Sequence, residues 1–255
     1  MIAATAAGVV AAQWARRPVP ILGNEADAKK VLDEGIEAHG GEIALRKIVG
    51  MHVKAKGRGY AGQLEASIFL EQYYQGPDKI RAISINEDAH FVQILVINDN
   101  VGWWKNGNLS NGNLPVEKIE GERLEVIREF ESSDWACTLV PLKENGFRLS
   151  PHGQISVNGR PAVGILALQD KHNPLELYFD KETHLLVEYQ RRVTDPESGK
   201  EVQEVQIFSD YRNVQGTKQP FKLQSFTDGE KAFDVVVTDV KLYDQPFDEK
   251  VFAKP

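Results

Sequence analysis

Cys137 is the only cysteine in the chain, and a lone thiol can build neither a disulfide framework nor a thiolate metal cage within one molecule. Basic residues are in deficit as well, 30 Lys and Arg against 37 Asp and Glu, for a formal charge of −7. Nucleic acids and anionic membrane surfaces both demand a net basic footprint, so neither is an expected partner. Long apolar runs are scarce: the stretch from Ile2 to Ala12 falls far short of the roughly 20 residues a spanning helix needs. It reads better as part of a secretion signal, with Val10 and Ala12 suiting a signal-peptidase site after Ala12, although the basic residues that normally precede such a run are missing. Residues 1–24 are therefore expected to be a signal-peptide remnant or an Ala-rich disordered tail, ending in the Pro- and Gly-bearing linker RRPVPILGN. No cysteine follows the candidate site to carry a lipid anchor.

Catalytic signatures are also wanting. The histidines stand at 39, 52, 90, 152, 172 and 184, and no two share the i,i+4 helical or i,i+2 strand spacing that aims two imidazoles at one metal. There is no G-x-S-x-G elbow, no Gly-rich phosphate loop and no H-E-x-x-H helix. Cys137 lies in the apolar context WACTL and reads as a small buried hydrophobe, not a nucleophile. Glu129 and Glu131 sit among charges on a helical segment, where a solvated face is the ordinary reading. No catalytic residue, metal or cofactor is assigned. A hydrolase would need a polar cluster assembled from distant positions.

What is present is the 42% hydrophobic, 26% charged balance of a globular chain. From Glu25, EADAKKVLDEGIEAHGG places Ala28, Val31, Leu32 and Ile36 on one helical stripe, stopped by Gly40 and Gly41, and the short turn GEIALRKI follows. The period then changes from 3.6 to 2. Met51, Val53 and Ala55 alternate with polar neighbours, as do Leu64, Ala66, Ile68 and Leu70, which marks half-buried strands. Phe91 to Ile97 is apolar on both faces and so is expected to be covered on both. A helical island over residues 115–142, bracketed by Pro115 and Pro141, carries Ile119, Leu124, Ile127 and Phe130. From Phe147 strands resume, separated by turns at Asn158-Gly159, Lys181 to His184, Asp195 to Gly199, Val214 to Gly216 and Asp228-Gly229. Roughly eleven or twelve strands result, too many for a flat open sheet. Residues 25–48 and 115–142 are the candidate covers of its hollow side.

One alternation stands out. In HLLVEYQRRVTD, Leu185, Val187, Tyr189, Arg191 and Val193 point to one face, so Arg191 lands on the apolar side. An inward guanidinium must find partners: a carboxylate from a neighbouring strand, the rim solvent, carbonyls of an element closing the cavity, or a ligand's polar head.

Taken in order, AHGGEIALRKI, QGPDKIR, NDNVGWW, VNGRPAVGILAL, LYFDKETHLLV, SDYRNVQGTKQPFKL and DEKVFAKP resemble the LolA-like superfamily, the outer-membrane lipoprotein-sorting proteins and their uncharacterised bacterial relatives, over residues 25–255. The resemblance implies an α+β fold, mainly β: one LolA-like domain, a strongly curved antiparallel half-barrel of about eleven strands with helices over its concave side. It also implies an apolar cavity and a periplasmic carrier of acyl chains. His184 stands where relatives carry glycine in a hairpin turn. The family's closing arginine is not carried over, and Arg191 is proposed from alternation alone.

The leading expectation is a non-enzymatic, exported cell-envelope protein, monomeric, that binds a lipid or lipoprotein acyl chain. Leu64, Ile68, Leu70, Val187, Tyr189, Arg191, Ile207, Leu223 and Val235 are the inward positions expected to line the cavity. The competing expectation is an envelope interaction or sensor module with a self-filled core and no ligand, which exposure of Trp103 and Trp104 would favour.

Overall fold

The computed structural model describes residues 18–20, 22–112, 114–144, 146–195 and 198–255, with the side chain of Ser132 excepted. The expected secretion signal lies outside the described residues, whereas Val19 of the expected linker pairs with Gln154 in an isolated bridge.

Helix α1 spans Glu25–Ala38 and begins on a capping box, in which the Asn24 side chain accepts from the Ala26 and Asp27 amides and Asp27 accepts from the Asn24 amide. Its buried face is Ala28, Leu32, Gly35 and Ile36, the expected stripe with Gly35 in place of Val31. Gly35 brings the helix close to the sheet, since a Cβ there would lie 2.6 Å from the Phe179 ring. A single turn, α2 (Glu42–Leu45), follows.

Among the described residues, thirteen strands then form one antiparallel sheet. The first six are β1 (Gly50–Ala61), β2 (Leu64–Gln75), β3 (Lys79–Asn86), β4 (Phe91–Asn98), β5 (Val101–Asn108) and β6 (Val116–Ile119). Helix α3 (Glu122–Ala136) and a 3-10 turn (Val140–Lys143) intervene. The remaining strands are β7 (Phe147–Val157), β8 (Arg160–Gln169), β9 (Leu175–Asp180), β10 (Leu186–Thr194), β11 (Glu201–Val214), β12 (Thr217–Thr227) and β13 (Glu230–Tyr243). The expected turns fall between strands. Asn158-Gly159, Gln215-Gly216 and Asp228-Gly229 all take the paired positive φ that matches a hairpin to strand twist.

The spatial order is β6-β5-β4-β3-β2-β1-β13-β12-β11-β10-β9-β8-β7. Two meanders thus run outward from a central seam where β1 pairs with β13. Only the β6-to-β7 connection leaves one edge of the sheet and returns at the other, and it carries α3 across the concave face. The sheet is not closed, and a right-handed twist accumulated over this many strands curls it into a half-barrel.

Two expectations change. The helical island starts later than residue 115, because Val116–Ile119 pairs with β5 as an edge strand. β10 is also irregular: its pairing to β9 shifts between Leu186 and Glu188. This bulge turns Leu186, Tyr189 and Arg191 to the concave side and Val187 to the convex side.

Two apolar clusters hold the concave side at its flanks. Leu32 and Ile36 of α1, with Leu139 and Leu142, pack on Ile165, Leu177 and Phe179. Leu124 and Ile127 of α3 pack on Ile80, Ile97 and Ile119. Ile155, Tyr178, Val205, Ile207 and Phe226 make a separate cluster on the convex face.

Candidate functional site

Between the flanking clusters the middle of the sheet is left uncovered, and a cavity of about 810 Å³ lies there. Its floor comes from β1, β2, β13, β12 and β11, where Val53, Ile68, Leu70, Leu223 and Val240 remain half-buried at mid-sheet positions. Apolar side chains at such positions are normally covered. The exposed residues among those lining the cavity are Ala61, Leu64, Glu65 and Phe91 at the hairpin ends of β1, β2 and β4, with Lys218 near the opposite end. The hollow therefore opens at the hairpin tips, where Leu64 is 75% exposed.

Of the residues expected inward, Leu64, Ile68, Leu70, Tyr189, Arg191, Leu223 and Val235 line this cavity. Val187 and Ile207 do not. The β10 bulge rotates Val187 outward. β11 is buried on both faces from Glu204 to Phe208, so hydrophobicity alone could not tell which of Ile207 and Phe208 points in. Gln206 and Phe208 do, and Ile207 packs in the convex cluster.

Arg191 combines two of the partnerships open to it. On β10 it sits directly opposite Glu204 of β11, and its Nε donates to Glu204 Oε2 at 2.5 Å. Its Nη1 donates to the Glu129 carbonyl at 2.9 Å and its Nη2 to the Phe130 carbonyl. The planar fork thereby ties α3 to the sheet, and only an arginine has donors to spare for such a three-way contact. The guanidinium also lies 5.3 Å from the Phe130 ring centroid.

Around this tie the cavity wall is polar. Tyr74 donates to Asp134 at 2.6 Å and Tyr189 to Gln206 at 3.0 Å. Glu131, expected on a solvated face, instead points into the cavity. Burial, reinforced by the charge of Asp134, pushes its carboxyl up to about 8, against the pull of Arg191. Burial raises Asp134 as well, opposed by the Tyr74 hydrogen bond. Burial raises Glu204 too, and there Arg191 opposes it. The Cys137 thiol, also in the wall, is driven well above its usual range by burial, which leaves it protonated and unreactive. At the α1 end, burial lowers His39 to about 4; the neutral ring donates from Nδ1 to the Gly35 carbonyl at 2.7 Å.

The missed polar residues did carry a signal. Ile127, Glu131, Asp134 and Thr138 follow one another at helical spacing, so the two acids continue the apolar stripe of α3. Glu204 likewise shares strand parity with Val202, Gln206 and Phe208. Trp104 packs in the concave cluster beside Leu95, while Trp103 occupies the other parity; both are half-buried. Among the described residues no group of three His, Cys, Asp or Glu side chains could hold a metal ion, and no helix is long and apolar enough to cross a membrane.

A curved antiparallel half-barrel with helices over its hollow is the LolA-like fold. A LolA superfamily protein from Nitrosomonas europaea is similar over 89% of this chain and 97% of its own, with a TM-score of 0.55 at 12% identity. A DUF1329 family protein from Desulfovibrio piger gives the same figures, TM-score 0.55 and 12% identity over 89% and 97% of the two chains. A domain assigned to outer membrane lipoprotein sorting, from Vibrio parahaemolyticus, is similar over 91% of this chain and 98% of its own, with a TM-score of 0.53 at 10% identity. No family model and no curated protein matches the sequence, so the likeness is one of fold.

Proposed function

We propose that this chain is a monomeric, non-enzymatic cell-envelope protein that binds the hydrocarbon part of a lipid or lipoprotein in the cavity between sheet and helices, as a carrier. The observation that supports this reading most is the half-buried apolar floor beneath a cavity of about 810 Å³, a volume within the roughly 300–1,000 Å³ range of ligand sites. Burying eight methylenes there would contribute about 6 kcal/mol before ordering costs. The apolar run Ile2–Ala12 supports an exported location, and the lipoprotein-sorting role assigned to the Vibrio domain supports acyl chains as the ligand class. The interaction-module alternative called for a self-filled core, with exposure of Trp103 and Trp104 as a point in its favour; a cavity lies over the sheet and both tryptophans are half-buried, which favours the ligand reading.

Native mass spectrometry after mild purification, paired with titration of the neutral dye Nile red, tests the proposal. The expected result is a retained amphiphile or saturable dye uptake. Leu70→Trp, which fills the floor, should lower uptake about tenfold or more while far-UV circular dichroism stays unchanged. A wild-type chain that retains no amphiphile and takes up no dye would sink it.

A further inference from the structure

The cavity is apolar on its floor and acidic on one wall. Glu131 and Asp134 project from α3 and Glu204 from β11, against one deeply buried cation, Arg191. That guanidinium is already committed to Glu204 and to the Glu129 and Phe130 carbonyls. Lys218 lies exposed near the other end, and His39 is neutral. Asp134 has one oxygen engaged by Tyr74. The Glu131 carboxyl faces the cavity with no hydrogen-bond partner among the described residues. Tyr74 lies near it, and Tyr189, Cys137 and the Gln206 amide share the cavity lining, none of which brings a positive charge.

Resting on the reading that the cavity holds an apolar chain, we infer that its ligand is an amphiphile with a cationic primary-amine head, which docks on Glu131 and Asp134, and that anionic amphiphiles are excluded. An ammonium is a compact donor of three hydrogen bonds and meets a wall of unspent acceptors. A carboxylate or phosphate head would bring a further anion to these acids, so that as Glu131 ionises towards pH 8 like charges would share a poorly solvated site, which is strongly unfavourable. Docking also moves a proton. The empty site holds Glu131 protonated at neutral pH; the ammonium pairs with the carboxylate, and the displaced proton leaves to solvent. Ammonium affinity should therefore rise with pH, by up to about tenfold per unit, until Glu131 ionises unaided near pH 8.

The test is displacement of Nile red from the full-length chain by dodecylammonium, laurate and dodecanol at pH 6, 7 and 8. The expected result at pH 8 is displacement by dodecylammonium at concentrations about tenfold or more below those for laurate. That advantage should shrink toward pH 6, and Glu131→Gln should bring the ratio close to one. Calorimetry in two buffers of different ionisation enthalpy supplies a measurement on the wild type, in which proton release on dodecylammonium binding is expected. Laurate binding as well as dodecylammonium, or ammonium binding without proton release, would overturn the head-group assignment and leave the cavity reading standing. Failure of all three compounds and the dye to bind would overturn both.

Discussion

Arg191 and Glu131 are ionisable groups that the concave face holds on opposite terms. Arg191 has a carboxylate and two carbonyls, and removing it would strand Glu204 in the interior. Arg191→Met is expected to cost about 3–5 kcal/mol in urea unfolding, with Glu204→Leu added to it restoring most of the loss. An additive double variant would show that the pair is not coupled. Glu131 has no counter-charge of its own. Its carboxyl titrates near 8 in the fold and at the ordinary 4.5 when unfolded, so between those values the folded state holds a proton that the unfolded chain has released. Stability should fall as pH rises through that window. His39 works the other way: it titrates at about 4 folded and 6.5 unfolded, so its contribution is lost as pH falls from 6.5 towards 4. The two oppose each other below 6.5. From pH 6.5 to 8 the decline comes from the buried acids, Glu131 together with Asp134 and Glu204, and thermal unfolding of Glu131→Gln should show that decline flattened. An unchanged slope would mean that Glu131 is ionised in the fold.

At the scale of elements, the hairpins were readable because Asn-Gly, Gln-Gly and Asp-Gly supply positive φ where the turns need it. His184 meets the same demand without glycine's freedom, at φ +58, in the β9–β10 turn. Two elements resisted reading. β6 is rich in Glu and Lys and passed for the start of a helix; pairing with β5 at the sheet edge makes it a strand. The β10 bulge shifts parity midway, so alternation assigned Tyr189 and Arg191 correctly and Val187 wrongly. α3 is equally ambiguous by itself, because the acids on its inward stripe look like surface charge until the sheet lies beneath them.

The whole molecule hinges on the β1–β13 seam, the one place where the two meanders meet. Gly57 sits in it opposite Val235, and a Cβ at Gly57 would come within 2.1 Å of the Asp234 carbonyl oxygen. Gly57→Ala cannot be absorbed by a rotamer change, since the obstruction is backbone. An expected loss of about 3 kcal/mol or more, together with wider opening of the hollow and weaker dye uptake, can be measured by urea unfolding and Nile red titration. A near-neutral effect would mean that the seam has room to spare. The crossing over residues 120–146 belongs to the same scale. Because β6 and β7 are opposite edges, the chain between them must span the concave face, and that places Glu131 and Asp134 over the cavity.

The sequence by itself determined the strand succession (apart from the edge strand β6), the turns and the face that Arg191 takes, because strand parity and turn chemistry are local properties carried by neighbouring residues. It also determined that a sheet of this length must curl. Only the tertiary structure decided that the chain's own side chains leave a cavity and that one wall is acidic. Those outcomes depend on which side chains meet across strands distant in the chain, as Arg191 meets Glu204 and Tyr74 meets Asp134. Burial by elements brought from elsewhere is what turns a surface-like Glu131 into a cavity group.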